Sequence, residues 1–384
     1  MLAIRLRNPD RHVTLSGERS VQSVLDELDI IAHTVLVLVD GNLVPNAHQL
    51  GANDEVEIRP VISGGASDYS QCVVCRQPAV MVEQRHRAAW CSSHFPDHVM
   101  AQVRKAIDHP PSAQPGERMF SYADRLLVAV SGGKDSLALW DILLELGYHA
   151  EGLYVGLGIG GYSSRSEAIT RAFAASRGAQ LHTVDLADTY GFSTGTAAST
   201  LDRSPCGVCG VSKRYVFNAY AIKNDFAVVV TGHNLDDEAA TLLGNLTRWH
   251  DVLLNRQAPL LPANAPNQTR KCKPLYRLSE RETAAYCVIQ GIDYVVEECP
   301  LVDGNTSQQY KAALDLLEAA TPGVKAQFLF GFLDRNPIAS DAVPDEFTKI
   351  GACGECGMPT TGTVCAFCRQ RAALRQHSVS ESTL

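Results

Sequence analysis

The sequence predicts an α/β chain: a parallel sheet covered on both faces, preceded by a small α+β roll and flanked by two cysteine-rich metal modules. Three observations predict it. Short, nearly continuous apolar runs alternate with helix-length segments between residues 126 and 248, as strands buried on both faces require. Residues 1–65 place strand, strand, helix and further strands in a stretch too short for a parallel unit. Twelve cysteines in 384 residues fall into groups at metal-ligand spacing rather than scattering along the chain.

The first 65 residues open on the alternating strand Leu2, Ile4, Leu6 and continue through Val13 and Leu15 to the amphipathic Val21–Leu28. The strand Val35–Val39 follows, then the turn Asp40-Gly41, a short strand at Leu43-Val44, and Glu55–Ile58. The segment ends Ser63-Gly64-Gly65. Next come Cys72-x-x-Cys75 and Cys91-x-x-His94, two pairs separated by a knuckle-sized loop and suited to tetrahedral zinc. Redox-active thiols are the other reading. Arg76, Arg85, Arg87, Arg104 and Lys105 make residues 66–125 the one segment with a net positive charge, a local phosphate-binding face or a solvated surface. The run Pro110-Pro111-Ser-Ala-Gln-Pro115-Gly116 breaks any helix and marks a linker.

The second domain starts at about residue 116. Its pattern reads strand 126–130, helix 135–146, strand 152–157, helix 164–177, strand 180–185, a long segment through Cys206 and Cys209, helix 212–222, strand 226–231 and helix 235–248. Ligands of such a sheet bind at the carboxyl ends of its strands. The first of these ends is Ser131-Gly132-Gly133-Lys134-Asp135-Ser136: glycines let backbone N–H groups close around phosphate oxygens, Lys134 adds a charge, and the helix start favours an anion. A second is the glycine-rich Gly158 to Gly161, where a nucleotide can approach backbone closely or a loop simply turns. A third places His233, Asp236 and Asp237 beyond the run Val228–Thr231. Adjacent carboxylates there can hold Mg²⁺ or orient a base, while capping of the next helix is expected to occupy Asp236 more readily than Asp237.

Cys206-Gly-Val-Cys209 has no second pair nearby, so a further ligand must come from elsewhere. Cys272, Cys287 and Cys299 are singletons, and a lone cysteine most often reads as a buried thiol. Cys353-x-x-Cys356 and Cys365-x-x-Cys368 complete a second zinc module with four thiolates. The domains are therefore expected at 1–65, 66–115, 116–340 and 341–384. A hydrophobic share of 45% and a charged share of 20% fit a soluble globular chain, and the net charge of −8 argues against coating by nucleic acid. The alternating first residues lack the apolar core of a signal peptide, and no run is long enough to span a bilayer, so the expected location is the cytoplasm with no membrane contact.

The hexapeptide at 131–136 resembles the PP-loop of the ATP pyrophosphatases, which adenylate a substrate oxygen, and it lacks the spacing of a Walker A motif. Residues 1–65 resemble the ubiquitin-like (β-grasp) sulfur carriers of the ThiS and MoaD kind, which use the free carboxylate of a terminal glycine. Here Gly65 is internal, so the chain is either cut after it or keeps the domain for docking. Residues 70–370 resemble the TtuA branch of tRNA thiolases through Ser131–Ser136, Cys206/Cys209 with Gly210 and Lys213-Arg214, Thr231–Asp237, Lys273-Pro274-Leu275 and Glu298-Cys299-Pro300. That resemblance implies replacement of uridine O2 by sulfur in tRNA, using ATP and Mg²⁺. It implies a 4Fe-4S cluster on Cys206, Cys209 and Cys299 with one iron open, and roles for Lys134, Lys213 and Asp237 in the reaction.

The resemblance also implies the partners: tRNA, a thiocarboxylated carrier that residues 1–65 could supply, an E1-like activating enzyme, and a cysteine desulfurase or sulfide source. It leaves room for a homodimer. Two other readings stay open on the sequence, namely thiolation of cytidine or a non-RNA substrate, and a ubiquitin-like modifier fused to a non-catalytic tRNA-binding module. The zinc modules favour the TtuA branch.

Overall fold

In the computed structural model the described residues are 2–7, 11–60, 70–111, 117–302, 306–335 and 350–381. Gly64-Gly65, the small polar segment after it, and most of the proline-rich linker lie outside them. The first domain is a five-stranded sheet with one helix. Strands β1 (Leu2–Leu6), β2 (Arg11–Leu15), β3 (Val35–Val39), β4 (Asn42–Leu43) and β5 (Glu55–Pro60) lie in the order β2-β1-β5-β3-β4. Only the β1–β5 pair is parallel. Helix α1 (Val21–Glu27) is capped by Ser20, whose hydroxyl accepts from the Ser23 N–H, and buries Val21, Val24 and Leu25 against the sheet.

Every residue of β3 is buried, which alternation alone does not explain, and the two faces account for it separately. Val35, Val37 and Val39 join the core of this domain with Leu2, Ile4, Val56 and Ile58. Leu36 and Leu38, together with Leu43 of β4, belong instead to the main core of the chain. The first domain is thus docked through the second face of its own sheet.

Strands β6 (Met81–Glu83) and β7 (Ala88–Trp90) form a hairpin ahead of α2 (Phe95–Asp108), whose face of Phe95, Val99, Val103 and Ile107 is buried. The main sheet has six strands: β8 (Leu126–Val130), β9 (Ala150–Gly156), β10 (Leu181–Asp185), β11 (Val228–Thr231), β12 (Leu260–Leu261) and β13 (Arg270–Cys272), in the order β10-β9-β8-β11-β13-β12. All pairs are parallel except β12–β13. The chain runs outward from β8 through β9 to β10, then returns to lay β11 on the other side of β8. That reversal opens a crevice at the carboxyl ends of β8 and β11.

Helices α3 (Lys134–Glu145), α4 (Gly160–Arg177), α5 (Leu186–Tyr190), α6 (Thr194–Thr200), α7 (Pro205–Lys223), α8 (Leu235–Thr247), α9 (Asp251–Leu254), α10 (Glu280–Ile289), α11 (Thr306–Ala320) and α12 (Val324–Arg335) surround the sheet. The cysteine pair was expected in an irregular segment before a helix at 212. It lies instead in the first turn of α7, which Ser204 caps and Pro205 opens. Beyond the main domain a two-strand ribbon (351–352 with 359–360) precedes α13 (Ala366–Glu381). Among the described residues no helix is long and apolar enough to cross a membrane.

Candidate functional site

The crevice is built from three walls. The first is the turn from β8 into α3. The Ser131 N–H donates to Ser136 Oγ at 3.1 Å, and that hydroxyl donates to the Gly133 carbonyl at 2.9 Å, so the turn closes on itself. Gly132 has φ +78°, and a Cβ there would stand 2.7 Å from the Ser166 carbonyl oxygen. Only glycine fits. Gly133 caps α3 without a side chain, which leaves first-turn N–H groups facing the crevice for an anion.

The second wall follows β11, where a Cβ on Gly232 would lie 2.8 Å from the Asp135 carbonyl carbon, so this turn packs directly on the first. Thr231 Oγ1 and His233 Nδ1 are 2.8 Å apart. The third wall is α7, contributing Gly210, Lys213, Arg214 and Phe217. Together the walls enclose a cavity of about 350 Å³ that Ser131, Gly133, Asp135, Ser136 and His233 also line.

Lys134 is adjacent, but it does not line the cavity. Its ammonium lies 2.6 Å from Glu280 Oε1 and 3.1 Å from Asp135 Oδ2. Lys311 bridges Glu280 Oε2 at 3.1 Å and Asp237 Oδ1 at 2.7 Å. Burial would raise the Glu280 carboxyl, yet Lys134 and then Lys311 outweigh it and hold the group at about 2. Burial acts against the charged form of Lys134 as well, and Asp135 and Glu280 together push its pKa well above the ordinary value. Asp135, unlike Glu280, is raised, chiefly by burial, although Thr283 Oγ1 donates to it at 2.5 Å and Asn234 Nδ2 at 3.1 Å.

The aspartate pair after β11 divides differently from the expectation. Asp237, not Asp236, belongs to the helix cap: it accepts from the Asn234 N–H at 3.2 Å while Asn234 Oδ1 accepts from its own N–H at 3.0 Å. Asp236 is 1% exposed, 2.5 Å from Lys325 Nζ, and accepts from the Glu280 N–H at 2.7 Å. Both of its oxygens are therefore engaged by the protein, Oδ1 by Lys325 and Oδ2 by the Glu280 N–H. The two carboxylates point apart because helix positions N2 and N3 are about 100° from one another. Gly158 lines a different cavity, beside Tyr162, Glu298 and Pro300, with a φ of +67° and no room for a Cβ against Ser193.

Because Cys206 and Cys209 sit on α7, helical spacing carries them, Gly210 and Lys213 along one side toward the crevice. Cys209 and Cys299 pack against the same apolar cluster. Cys206 has them for neighbours: its thiol is raised first by burial, then by Cys209 and Cys299. These three are not among the groups whose ligand atoms all lie within 4.8 Å. Wider spacing suits thiolates bound to different irons of a cluster better than one ion. Cys272 and Cys287 are fully buried and their thiols are pushed up by burial.

The residues of the two expected four-ligand sets do converge. Cys72, Cys75, Cys91 and His94 converge, with Cys75 and Cys91 sulfurs 3.7 Å apart and Cys91 Sγ 3.3 Å from His94 Nδ1. Cys353, Cys356, Cys365 and Cys368 converge likewise, with 3.8 Å between Cys356 and Cys365. Tetrahedral thiolates at a Zn–S length of about 2.3 Å stand about 3.8 Å apart, so both sets fit zinc. Burial raises the Cys72 and Cys353 thiols, but backbone N–H groups outweigh it and hold each at about 6. The basic face expected in this region loses Arg85, which is buried and paired with Glu282.

Sequence reasoning missed Glu280, Lys311, Thr283 and Asn234. Ser279-x-x-Glu282 was the readable signal for the first, since that capping box fixes the start of α10 and so the place of Glu280.

Comparison with known proteins assigns residues 99–312 to the PP-loop domain, 71–96 to the N-terminal LIM domain of 2-thiouridine synthetase TtuA, and 3–65 to the ThiS family. The chain is 48% identical over 299 residues to the tRNA-5-methyluridine(54) 2-sulfurtransferase of Thermus thermophilus, covering 78% of this chain and 90% of that one. It is 36% identical to the protein of the same name from Pyrococcus horikoshii, covering 78% and 93%. Cytoplasmic tRNA 2-thiolation protein 1 of Bos taurus is 31% identical, covering 78% and 86%. Among solved structures, the U34-tRNA thiolase NcsA from Methanococcus maripaludis, with its [4Fe-4S] cluster, superimposes with a TM-score of 0.66 at 22% identity, covering 80% of this chain and 97% of that one.

Proposed function

We infer the function of this chain from its family, since it belongs to the PP-loop tRNA 2-sulfurtransferases. The reaction we propose is ATP-dependent replacement of O2 by sulfur in a uridine of tRNA, in the cytoplasm. The observation that carries it is the crevice itself, where the phosphate-binding turn meets Gly210 and Lys213 of α7, next in the helix to Cys209. Relatives named for 5-methyluridine 54 are the more identical ones, and that base is the proposed target.

ATP supplies the adenylyl group that turns a poor oxygen leaving group into AMP. The N–H groups of Ser131 to Ser136 would hold its phosphates, with His233 at the far wall and Mg²⁺ neutralising charge. Lys213, reaching into the cavity from α7, orients the base and moves a proton. Lys134 acts from beside the cavity, held on Glu280 until a phosphate competes for it. Asp237 is coupled to the same network through Lys311 and remains the carboxylate proposed for the reaction, whereas Asp236 is set aside.

Cys206, Cys209 and Cys299 would hold a 4Fe-4S cluster, whose iron without a protein ligand would supply a Lewis-acidic place for sulfide-level sulfur. Zinc at both closed four-ligand sets is structural. Residues 1–65 are the proposed carrier, cut after Gly65 and thiocarboxylated with an E1-like enzyme and a cysteine desulfurase or sulfide source. The domain limits proposed are 1–65, 66–115, 116–340 and 341–384. Anaerobic incubation with ATP, sulfide and tRNA that carries 5-methyluridine at position 54 but no sulfur, followed by nucleoside mass spectrometry, tests the reading. Stoichiometric AMP and a 2-thionucleoside mapped to position 54 support it; no thionucleoside with reconstituted enzyme overturns it.

A further inference from the structure

A second concavity, of about 500 Å³, lies on the other side of α7 from the PP-loop turn, with the C-terminal ribbon as its outer wall. Arg214 lines both cavities, so the two adjoin. Three cations converge on the second one: Arg214 from α7, Arg256 from the segment after α9, and Lys271 from β13. Among the described residues no carboxylate lines it. Among the described residues none of the three side chains makes an ion pair or hydrogen bond, in contrast to Lys134, Lys273, Lys311 and Lys325, which all do.

Three like charges on one concave surface repel each other, and among the described residues no carboxylate pairs with them. Lys271 registers this: its pKa is lowered first by burial, then by Arg214 and Arg256. Such a surface is stabilised by an anion arriving from outside. Planar guanidinium groups suit phosphate oxygens, and the space exceeds a lone phosphate, leaving room for a sugar. Nucleotide phosphates already have a site at residues 131–136. A polyanion passing from the ribbon to the active crevice needs another.

We propose that this pocket binds a backbone phosphate of the substrate RNA, through Arg256 and Lys271, with Arg214 at the passage to the PP-loop cavity. The proposal rests on the thiolation reading and supplies its missing RNA contact. It also gives the four-thiolate ribbon a function beyond stability, since Thr360 and Thr361 of that module form one side of the pocket.

The test is binding of unmodified tRNA to zinc-loaded full-length protein across a range of salt, for wild type, Lys271→Gln, Arg256→Gln and Lys271→Arg. Each glutamine variant should bind about tenfold more weakly. Each should also lower the salt slope by about one, the value for one lost phosphate contact. Lys271→Arg should restore the slope. Zinc content and the affinity for ATP alone should match wild type in all three variants. Unchanged tRNA affinity and slope in both glutamine variants would overturn the pocket assignment while leaving the thiolation reading intact. Loss of ATP or pyrophosphate binding with tRNA binding unaltered would overturn it in favour of a nucleotide site. Absence of tRNA binding by wild type would overturn both readings.

Discussion

Replacing Asp236 and Asp237 one at a time by asparagine separates a folding role from a reaction role at neighbouring positions. Asp236 and Lys325 are 1% and 2% exposed as side chains, and Lys325 also pairs with Asp315. Removing one partner of a buried pair costs about 3–5 kcal/mol. The surviving Asp315 contact puts Asp236→Asn at the lower end, about 3 kcal/mol. For a domain of this size each kcal/mol moves the midpoint by about 2–4 °C, so Tm should fall by about 6–12 °C. Pyrophosphate release per folded molecule, measured well below that midpoint, should stay within a few-fold of wild type. Asp237 is 27% exposed, and an asparagine there still accepts the Asn234 N–H, so Asp237→Asn forfeits mainly a partly solvated pair of about 1 kcal/mol. Its Tm should barely move while turnover falls by at least two orders of magnitude. A normal melting profile in Asp236→Asn combined with lost Mg²⁺-dependent turnover would refute the assignment.

Anaerobically reconstituted protein should lose its visible iron–sulfur absorption in Cys206→Ala, Cys209→Ala and Cys299→Ala and keep it in Cys272→Ala and Cys287→Ala; a full cluster in Cys299→Ala would remove that ligand from the set. Glu280 has a folded pKa of about 2 against an ordinary 4.5, so its stabilisation is fully present above about pH 4.5 and is lost as pH falls toward 2. Glu280→Gln should accordingly be less stable at pH 6 and flatten the acid limb of urea-denaturation midpoints, and an unchanged limb would contradict the network. If a protease site is placed within residues 66–69 and cut, the N-terminal fragment should still co-elute with the remainder on gel filtration, because Leu36, Leu38 and Leu43 are buried in the main core. Leu43→Lys should release it. Intact-mass analysis from the native host should find a fragment ending at Gly65, partly about 16 Da heavier as the thiocarboxylate.

The strand and helix order between residues 126 and 248 was legible in the main because β8, β9 and β11 are nearly continuous apolar runs, whereas β12 and β13, short and carrying Arg270 and Lys271, were not read. Boundaries moved by a few residues where glycine misled. Gly160 and Gly161 read as loop, yet α4 begins there, since helix termini tolerate glycine where interiors do not. Gly207 and Gly210 misled in the same way, and they hid the fact that the cysteine pair is helical. Ser204-Pro205 was the counter-signal, an N-cap followed by the residue best suited to the first helical position. Reading it would have placed Lys213 one turn from Cys209 before any coordinates existed.

The site was legible where chemistry depends on local spacing and illegible where it depends on burial. Cys72, Cys75, Cys91 and His94 carry their geometry in their spacing, as do the phosphate-turn residues. Asp236 and Asp237 do not, because both are acidic, adjacent and suited to a helix N-terminus. What separates them is Lys325, 89 positions later and buried against Asp236, together with Lys311 beside Asp237. Neither lysine stands in a motif, and each takes its meaning from the carboxylate it meets. The same holds for β3, whose five apolar residues were read correctly as a strand but carry two messages. Val35, Val37 and Val39 fold the carrier domain, whereas Leu36 and Leu38 fasten it to the enzyme. A freely diffusing carrier would need polar residues at those two positions to remain soluble. Their apolar character therefore fits a ThiS-like domain that is docked on the main domain.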